Sequence, residues 1–168
     1  PRGSGAKVSP KSPDLHLAGY KSNCTNCGNC CGAMEDFTYL AGMRAGSRAK
    51  LDGNPKSGYM ATCPIPEEVR LGNAIMLGVK KTCPECTMDV RFINTWHDPV
   101  KEKEAAASLF DAGAQVVFPG ADTGAVADVA QETGQWGGTY DHPAPRKVDR
   151  CLTAPPRTWR PEATRHAP

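Results

Sequence analysis

The sequence lacks the features that mark several large classes of protein. No apolar run approaches the roughly 20 residues of a membrane-spanning helix. No signal peptide is visible, and the chain opens Pro1-Arg2-Gly3-Ser4-Gly5 without a methionine, so we expect a processed chain or a fragment. The net charge is only +2 over 168 residues, which indicates no extended basic surface and therefore no nucleic-acid partner.

The chain also lacks the short motifs of common catalytic sites. Neither the GxSxG nucleophile motif nor a Walker phosphate loop occurs. The glycines of "LGNAIMLG" (71–78) fall inside a predicted helix and cannot form a phosphate loop. Histidine pairs with the HxH or HxxxH spacing of zinc sites are missing as well. We therefore expect no catalytic residues, no bound metal and no cofactor.

Eight cysteines stand out against these absences. The stretch "NCTNCGNCCGAMED" (23–36) contains Cys24, Cys27, Cys30 and Cys31. Cys-x-x-Cys-x-x-Cys resembles the start of an iron–sulfur ferredoxin motif, so a cysteine-rich metal-binding or redox protein centred on residues 24–31 is an alternative function. Cys83 and Cys86 in "TCPECT" are better placed either to pair or to bind a metal.

The later part of the chain alternates between strand and helix patterns. Strands are predicted at 58–62, 88–94, 115–118 and 136–140, helices at 66–81, 99–112 and 123–133, and before them a strand at 14–20 and a helix at 34–50. Pro66 and Pro99 suit the first turn of a helix, and Asp98 suits the capping position of the second. This alternation predicts right-handed crossovers and a doubly wound parallel sheet of the α/β class.

Polar side chains follow the carboxyl ends of these predicted strands, where open parallel sheets bind ligands. The five candidate ligand-binding residues are Trp96, His97, Asp122, Thr123 and Asp141. Trp96 offers a flat face to a ring, and Asp141 can accept hydrogen bonds from sugar hydroxyls. Trp96 also suits simple packing, and Asp122 or Thr123 also suits a helix cap. The set favours a small polar ligand that contains a flat ring.

Four longer stretches carry a resemblance to a known family. They are "GAMEDFTYLAGMRAG" (32–46), "GYMATCPIPEEVRLGNAIMLG" (58–78), "NTWHDPVKEKEAAASLFDAGAQVV" (94–117) and "YDH" (140–142). Together they closely resemble the BMP (basic membrane protein, Med-like) family of substrate-binding proteins of ABC transporters. The string "PIPEEVRLGNA" followed by "WHDPVKEKEAA" is far more specific than any single short motif in the chain.

The resemblance implies a type I periplasmic-binding fold, in which two Rossmann-like lobes joined by a hinge close on a ligand. It implies a purine nucleoside or similar compound as the ligand, an ABC permease as the partner, and no catalysis. It also implies an exported protein at the periplasmic or extracellular face of the cell membrane. Membrane association would come only from a lipid anchor, which we expect to lie outside this chain.

The resemblance also divides the chain into segments. We expect a disordered lead-in at 1–13, a partial first lobe at 14–57, a second Rossmann-like lobe at 58–142, and a lobe-crossing segment or irregular tail at 143–168. Where Cys27, Cys31 and Cys63 stand, family members usually carry aromatic or other apolar residues. Because buried cysteine behaves as a small hydrophobe, these cysteines are interpreted as replacements at packing positions. We predict that the four cysteines of 24–31 do not converge on one metal.

A third function remains open beside the binding protein and the metal or redox protein. An enzyme on a Rossmann-like scaffold, acting on nucleosides, would use the same fold and the same sheet edge. Turnover of a nucleoside, rather than its retention, would favour this alternative.

Overall fold

The structure is a computed structural model that describes residues 14–17, 27–30, 34–140 and 149–153. These residues fall into two compact units. One contains a parallel pair of short strands, β1 (Asp14–Leu17) and β2 (Cys27–Cys30). The strand predicted at 14–20 is thus confirmed at its first four residues, whereas β2 was not predicted.

The other unit is a five-stranded parallel sheet with helices between successive strands. Its elements are α1 (Met34–Leu51), β3 (Lys56–Ala61), α2 (Pro66–Thr82), β4 (Thr87–Phe92), α3 (Pro99–Asp111), β5 (Val116–Pro119), α4 (Ala125–Thr133), β6 (Trp136–Gly138) and β7 (Cys151–Thr153). The strand order is β4-β3-β5-β6-β7, and every neighbouring pair is parallel. The predicted α/β class, parallel sheet and helices are therefore confirmed.

The sheet has five strands rather than the four predicted, and the additional strand is β7. It pairs with β6 and lies in the segment 143–168, where no strand was predicted. Three residues are too few to display the alternation that marks a strand in a sequence. None of the helices within the described part of the chain has the length and apolar character needed to cross a membrane.

Strands β3 and β5, which are neighbours inside the sheet, are buried on both of its faces. Val116 and Phe118 of β5 point to the core beside α1 and α2, whereas Val117 points to the core beside α3 and α4. Tyr59 and Met60 of β3 divide in the same way. Burial of each large apolar side chain contributes roughly 1.5–3 kcal/mol, so these layers hold the sheet and its loops in place.

Helices α1 and α2 approach each other closely because glycines occupy their interface. A Cβ atom at Gly42 would lie 2.1 Å from the Ile75 carbonyl oxygen, and one at Gly78 would lie 2.0 Å from the Tyr39 carbonyl oxygen. Helix α1 lies in the segment predicted to be a partial first lobe (14–57), and it packs against α2 within the same compact unit as the sheet.

Candidate functional site

The candidate site lies at the carboxyl edge of the five-stranded sheet. β3 has β4 on one side and β5 on the other, so the chain leaves β3 and β5 in opposite directions across the sheet. Such a switch point opens a crevice outside the strand ends. Residues 62–65, 93–98 and 120–124 follow β3, β4 and β5 there. The backbone N–H of Asn94 donates to the carbonyl oxygen of Thr62 at 2.7 Å, which joins the first two loops.

Trp96 and His97 lie in the loop after β4, and both are exposed. Trp96 has 49% of its surface exposed to solvent, so it is not a core residue. The N–H of Asp122 donates to the carbonyl oxygen of Trp96 at 3.4 Å. The loops after β4 and β5 therefore meet through their backbones, and each carries an exposed side chain at this edge, Trp96 and Asp122.

Thr123 lies next to Asp122 but differs from it in burial. The residue is 8% exposed, and its hydroxyl donates a short hydrogen bond to Oε2 of Glu102. The hydroxyl oxygen of Thr123 in turn accepts from the N–H of Ala125 at 3.1 Å, in the first turn of α4. Both bonds hold the start of α4 in place. Of the two proposed caps, Thr123 makes a hydrogen bond to this turn.

Asp141, the fifth candidate, lies outside the described residues together with His142. The last described residue before them is Tyr140, two positions beyond the end of β6. The placement of Asp141 at the same edge stays a prediction.

Asp98 caps α3, as its position before Pro99 predicts. Its Oδ1 accepts hydrogen bonds from the N–H groups of Val100 at 3.1 Å and Lys101 at 3.2 Å. These bonds satisfy two of the backbone donors that a helix start leaves open. Asp98 therefore serves the loop after β4 as a structural residue.

Two buried glutamates at this edge were not predicted to be buried. Glu68 is 1% exposed, and its Oε2 accepts from the hydroxyl of Tyr59 at 3.0 Å and from the N–H of Thr62 at 2.9 Å. Glu102 is fully buried, and its Oε1 accepts from the N–H of Asp98 at 3.1 Å. The sequence signal for Glu68 was an acidic first turn after a proline, which indicates a helix start but not burial.

Burial dominates the electrostatics of Glu68. It raises the pKa of the carboxyl above its ordinary value, although the hydrogen bonds from Thr62 and Tyr59 act in the opposite direction. Burial, and then the nearby Glu68 carboxylate, likewise raises the pKa of the Tyr59 phenol. Both effects follow from the loss of water around a charge at the end of β3.

The described cysteines include a disulfide-bonded pair and a free thiol. Cys83 and Cys86 form a disulfide with their Cα atoms 5.3 Å apart, so pairing rather than metal binding accounts for them. Cys63 is a free thiol in the loop after β3. Cys24 and Cys31 lie outside the described residues, so the prediction for the four cysteines of 24–31 stays open. The described part of the chain contains no group of three or more His, Cys, Asp or Glu residues able to hold a metal ion.

A family model for PnrA-like substrate-binding proteins of ABC transporters, Bmp, matches residues 6–139. The chain belongs to the Bmp family. This confirms the predicted family, and the likeness to solved structures agrees with the predicted type I fold.

Relatives of this Bmp-family chain include two curated proteins. A protein of Haloferax volcanii called the ABC transporter glucose-binding protein TsgA13 is 38% identical over 128 residues, which are 76% of this chain and 32% of that protein. A purine-binding protein of Brucella abortus is 33% identical over 131 residues, which are 76% of this chain and 36% of that protein. The chain thus spans about a third of the length of these relatives.

A solved structure supports the fold independently of close sequence similarity. An ABC transporter solute-binding protein of Aeropyrum pernix K1 superposes with a TM-score of 0.60 at 17% identity. The match covers 74% of this chain and 38% of that one. At this identity the likeness concerns the fold alone, and it agrees with the parallel sheet and its intervening helices.

Proposed function

We propose that this Bmp-family chain forms part of a solute-binding component of an ABC importer, and that it binds a purine nucleoside or a similar small ligand. The observation that carries the proposal is the backbone contact between Trp96 and Asp122 at the carboxyl edge of the sheet, where both residues are exposed. A flat apolar ring and a carboxylate on adjoining loops suit a ligand with an aromatic base and hydrogen-bonding groups.

The remaining candidates would complete this surface. His97 is exposed beside Trp96, and Asp141 would offer two acceptor oxygens to a ribose diol. The hydroxyl of Thr123 is engaged with Glu102 and Ala125, so we propose that Thr123 acts mainly by holding the loop of Asp122.

A sugar is the second candidate ligand. The Haloferax volcanii relative is called glucose-binding, whereas the Brucella abortus relative is called purine-binding. Aromatic rings and carboxylates serve sugar recognition as well as nucleoside recognition, so Trp96 and Asp122 suit either ligand. The predicted stacking of a base on Trp96 distinguishes the two, because glucose has no aromatic ring.

We further propose that the protein works outside the cytoplasm and delivers its ligand to a permease. The disulfide between Cys83 and Cys86 supports this location, because disulfides persist in oxidising compartments such as the periplasm. Membrane attachment would depend on a lipid anchor rather than on the described helices.

Ligand titrations followed by NMR test the proposal on the 168-residue chain. Adenosine, guanosine, inosine and glucose are added separately to isotope-labelled protein, and the backbone amide signals of the loop 120–124 are monitored. We expect saturable shifts with the nucleosides and their loss in Trp96→Ala, while Leu77→Ala, an exposed change elsewhere, keeps them. Shifts with glucose alone would favour the sugar, and no shift with any of the four would contradict the proposal.

The same samples separate the alternative functions. A binding protein returns the nucleoside unchanged after incubation, whereas an enzyme converts it, which chromatography of the small molecules detects. Iron content and a visible absorption band would instead support the metal or redox protein centred on residues 24–31.

A further inference from the structure

Glu68 is a buried carboxylate outside the set of residues proposed to touch the ligand. It lies in the first turn of α2, beneath the carboxyl end of β3. A single oxygen, Oε2, accepts both the Tyr59 hydroxyl and the Thr62 N–H. Among the described residues it has no ion pair with a lysine or an arginine. A buried charge of this kind is costly unless its hydrogen bonds compensate.

The loop after β5 closes against the same oxygen. A Cβ atom at Gly120 would lie 2.2 Å from Oε2 of Glu68 and 2.8 Å from the Tyr59 hydroxyl oxygen. The N–H of Gly120 also donates to the carbonyl oxygen of Met60 at 2.7 Å. A side chain at this position would therefore force the Glu68 carboxylate, the Tyr59 hydroxyl or the loop to move.

Tyr59 is held from the side of α2 as well. A Cβ atom at Gly72 would lie 3.0 Å from ring atoms of Tyr59, so the helix backbone packs directly on the ring. Tyr59, Glu68 and Gly120 thus form one dense contact between the ends of β3 and β5. The chain continues from this contact through Ala121, which is fully buried, to Asp122.

We propose that Glu68 is a positioning residue that holds the loops after β3 and β5 at a defined separation and thereby places Asp122 at the ligand edge. Its effect on ligand binding rests on the proposed function, whereas its effect on the loops does not. The neighbouring Glu67 is exposed, which makes it a matched control on the same helix turn.

Amide hydrogen exchange tests the effect on the loops without any ligand. Glu68→Leu removes the acceptor oxygens at similar volume, and we expect the exchange of Thr62 and Gly120 to quicken by about tenfold or more. Glu68→Gln retains one amide oxygen and should restore part of the protection, whereas Glu67→Leu should change neither residue. Unchanged exchange at both residues in Glu68→Leu would overturn the proposal.

Adenosine titration tests the effect on the ligand. The titration is made where the variant is still folded, and we expect Glu68→Leu to weaken binding by about tenfold. Its stability should fall as well, because the buried Tyr59 hydroxyl and Thr62 N–H lose the acceptor Oε2. A loss of affinity that merely follows a loss of stability, or unchanged affinity in a variant with loosened loops, would contradict the positioning role. If the unaltered chain binds no nucleoside, the proposed function fails, and the exchange experiment alone decides the role of Glu68.

A second variant alters the contact of Glu68 with Gly120 from the loop after β5. It provides a test if Glu68→Leu does not fold. Gly120→Ala inserts a methyl group against Oε2 of Glu68, and we expect the same quickening of exchange at Thr62. Normal exchange at Thr62 in a folded Gly120→Ala protein would show that the two loops are not coupled through the carboxylate.

Discussion

The indole N–H of Trp136 donates a hydrogen bond of 3.2 Å to Oδ2 of Asp52, a residue 84 positions earlier in the chain. Oδ2 also accepts from Nε of Arg48 at 2.9 Å and from the side-chain amide of Gln115 at 2.9 Å. The guanidinium groups of Arg48 and Arg150 lie 4.5 Å and 4.9 Å from the centre of the Trp136 ring. One carboxylate thus joins the end of α1 to the starts of β5 and β6.

Asp52→Asn should lower stability near neutral pH. Burial acts to raise the pKa of Asp52, but the hydrogen bonds from Arg48, Gln115 and Trp136 outweigh it and hold the pKa below the ordinary value of 3.8. A lowered folded-state pKa contributes stability above 3.8, and that contribution is lost as the pH falls through the folded-state value. We expect a loss of about 1 kcal/mol after allowance for solvent screening, measured by urea unfolding.

The pH dependence of the same variant supplies the check. The difference in unfolding free energy between the unaltered protein and Asp52→Asn should shrink steadily below pH 3.8. Asp111→Asn, at the exposed end of α3, serves as the control, and the trend for Asp52→Asn is measured relative to it. A difference that stays constant with pH would mean that the charge of Asp52 does not contribute.

Gly78→Ala should destabilise the protein although alanine favours helices. In a helix interior the change usually stabilises by about 0.5–1 kcal/mol. Here the new Cβ would meet the Tyr39 carbonyl oxygen at 2.0 Å, so α1 and α2 must separate. We expect a net loss of about 1–3 kcal/mol in chemical unfolding. Asn73→Ala, on an exposed part of α2, should instead be neutral or stabilising.

Asp98→Ala should reduce stability by about 1 kcal/mol, the usual effect of losing a helix cap. The cause is the loss of acceptors for the N–H groups of Val100 and Lys101. Unfolding followed by circular dichroism measures the change, with Asp111→Ala at the other end of α3 as a control for charge. A cost equal to that of the control would show that the cap contributes nothing.

Reduction of the Cys83–Cys86 disulfide should lower the unfolding free energy by about 2 kcal/mol, because a short loop closed by a disulfide limits the unfolded chain only modestly. Urea unfolding with and without a thiol reductant measures this effect. The double variant Cys83→Ala/Cys86→Ala should lose the response to reductant. If that variant still responds, other cysteines account for it.

Asp141→Ala should weaken nucleoside binding by roughly 1.5–3 kcal/mol, the range for hydrogen bonds to a charged group. The change should leave the stability of the sheet unaltered, since Asp141 has no predicted structural role. Calorimetric titration with adenosine, guanosine and inosine measures the affinity, and Asp98→Ala provides a variant that lowers stability rather than binding. Equal affinity in Asp141→Ala and the unaltered protein would remove Asp141 from the site.

The local signals in the sequence predicted most of the fold. Pro66 and Pro99 are the first residues of α2 and α3, where a fixed φ and a missing N–H are harmless. Of the four predicted strands of the second lobe, β3 to β5 show recognisable apolar patterns, and β6 was predicted from the weaker stretch "WGGTY", which two glycines dilute. β2 and β7 were missed because "CGNC" and "CLT" show no distinct apolar pattern, and pairing with a neighbour defines them.

The topology of the sheet also predicted which loops form the edge, and Trp96, His97 and Asp122 are exposed there. The burial of the neighbouring carboxylates could not be predicted in the same way. Glu67 and Glu68 are adjacent and chemically equal, yet Glu67 is exposed and Glu68 is 1% exposed. The rotation of α2 over Tyr59 determines which of them faces the core.

The sequence by itself thus determined the family, the α/β alternation and the residues at the ends of the strands, because each of these depends on local pattern or on long matching stretches. Only the tertiary structure decided the pairing of Cys83 with Cys86, the order of the strands, and the contact of Glu68 with Gly120. These features depend on which groups meet in space and lose water together. The sequence of a single chain does not show directly which distant residues contact one another.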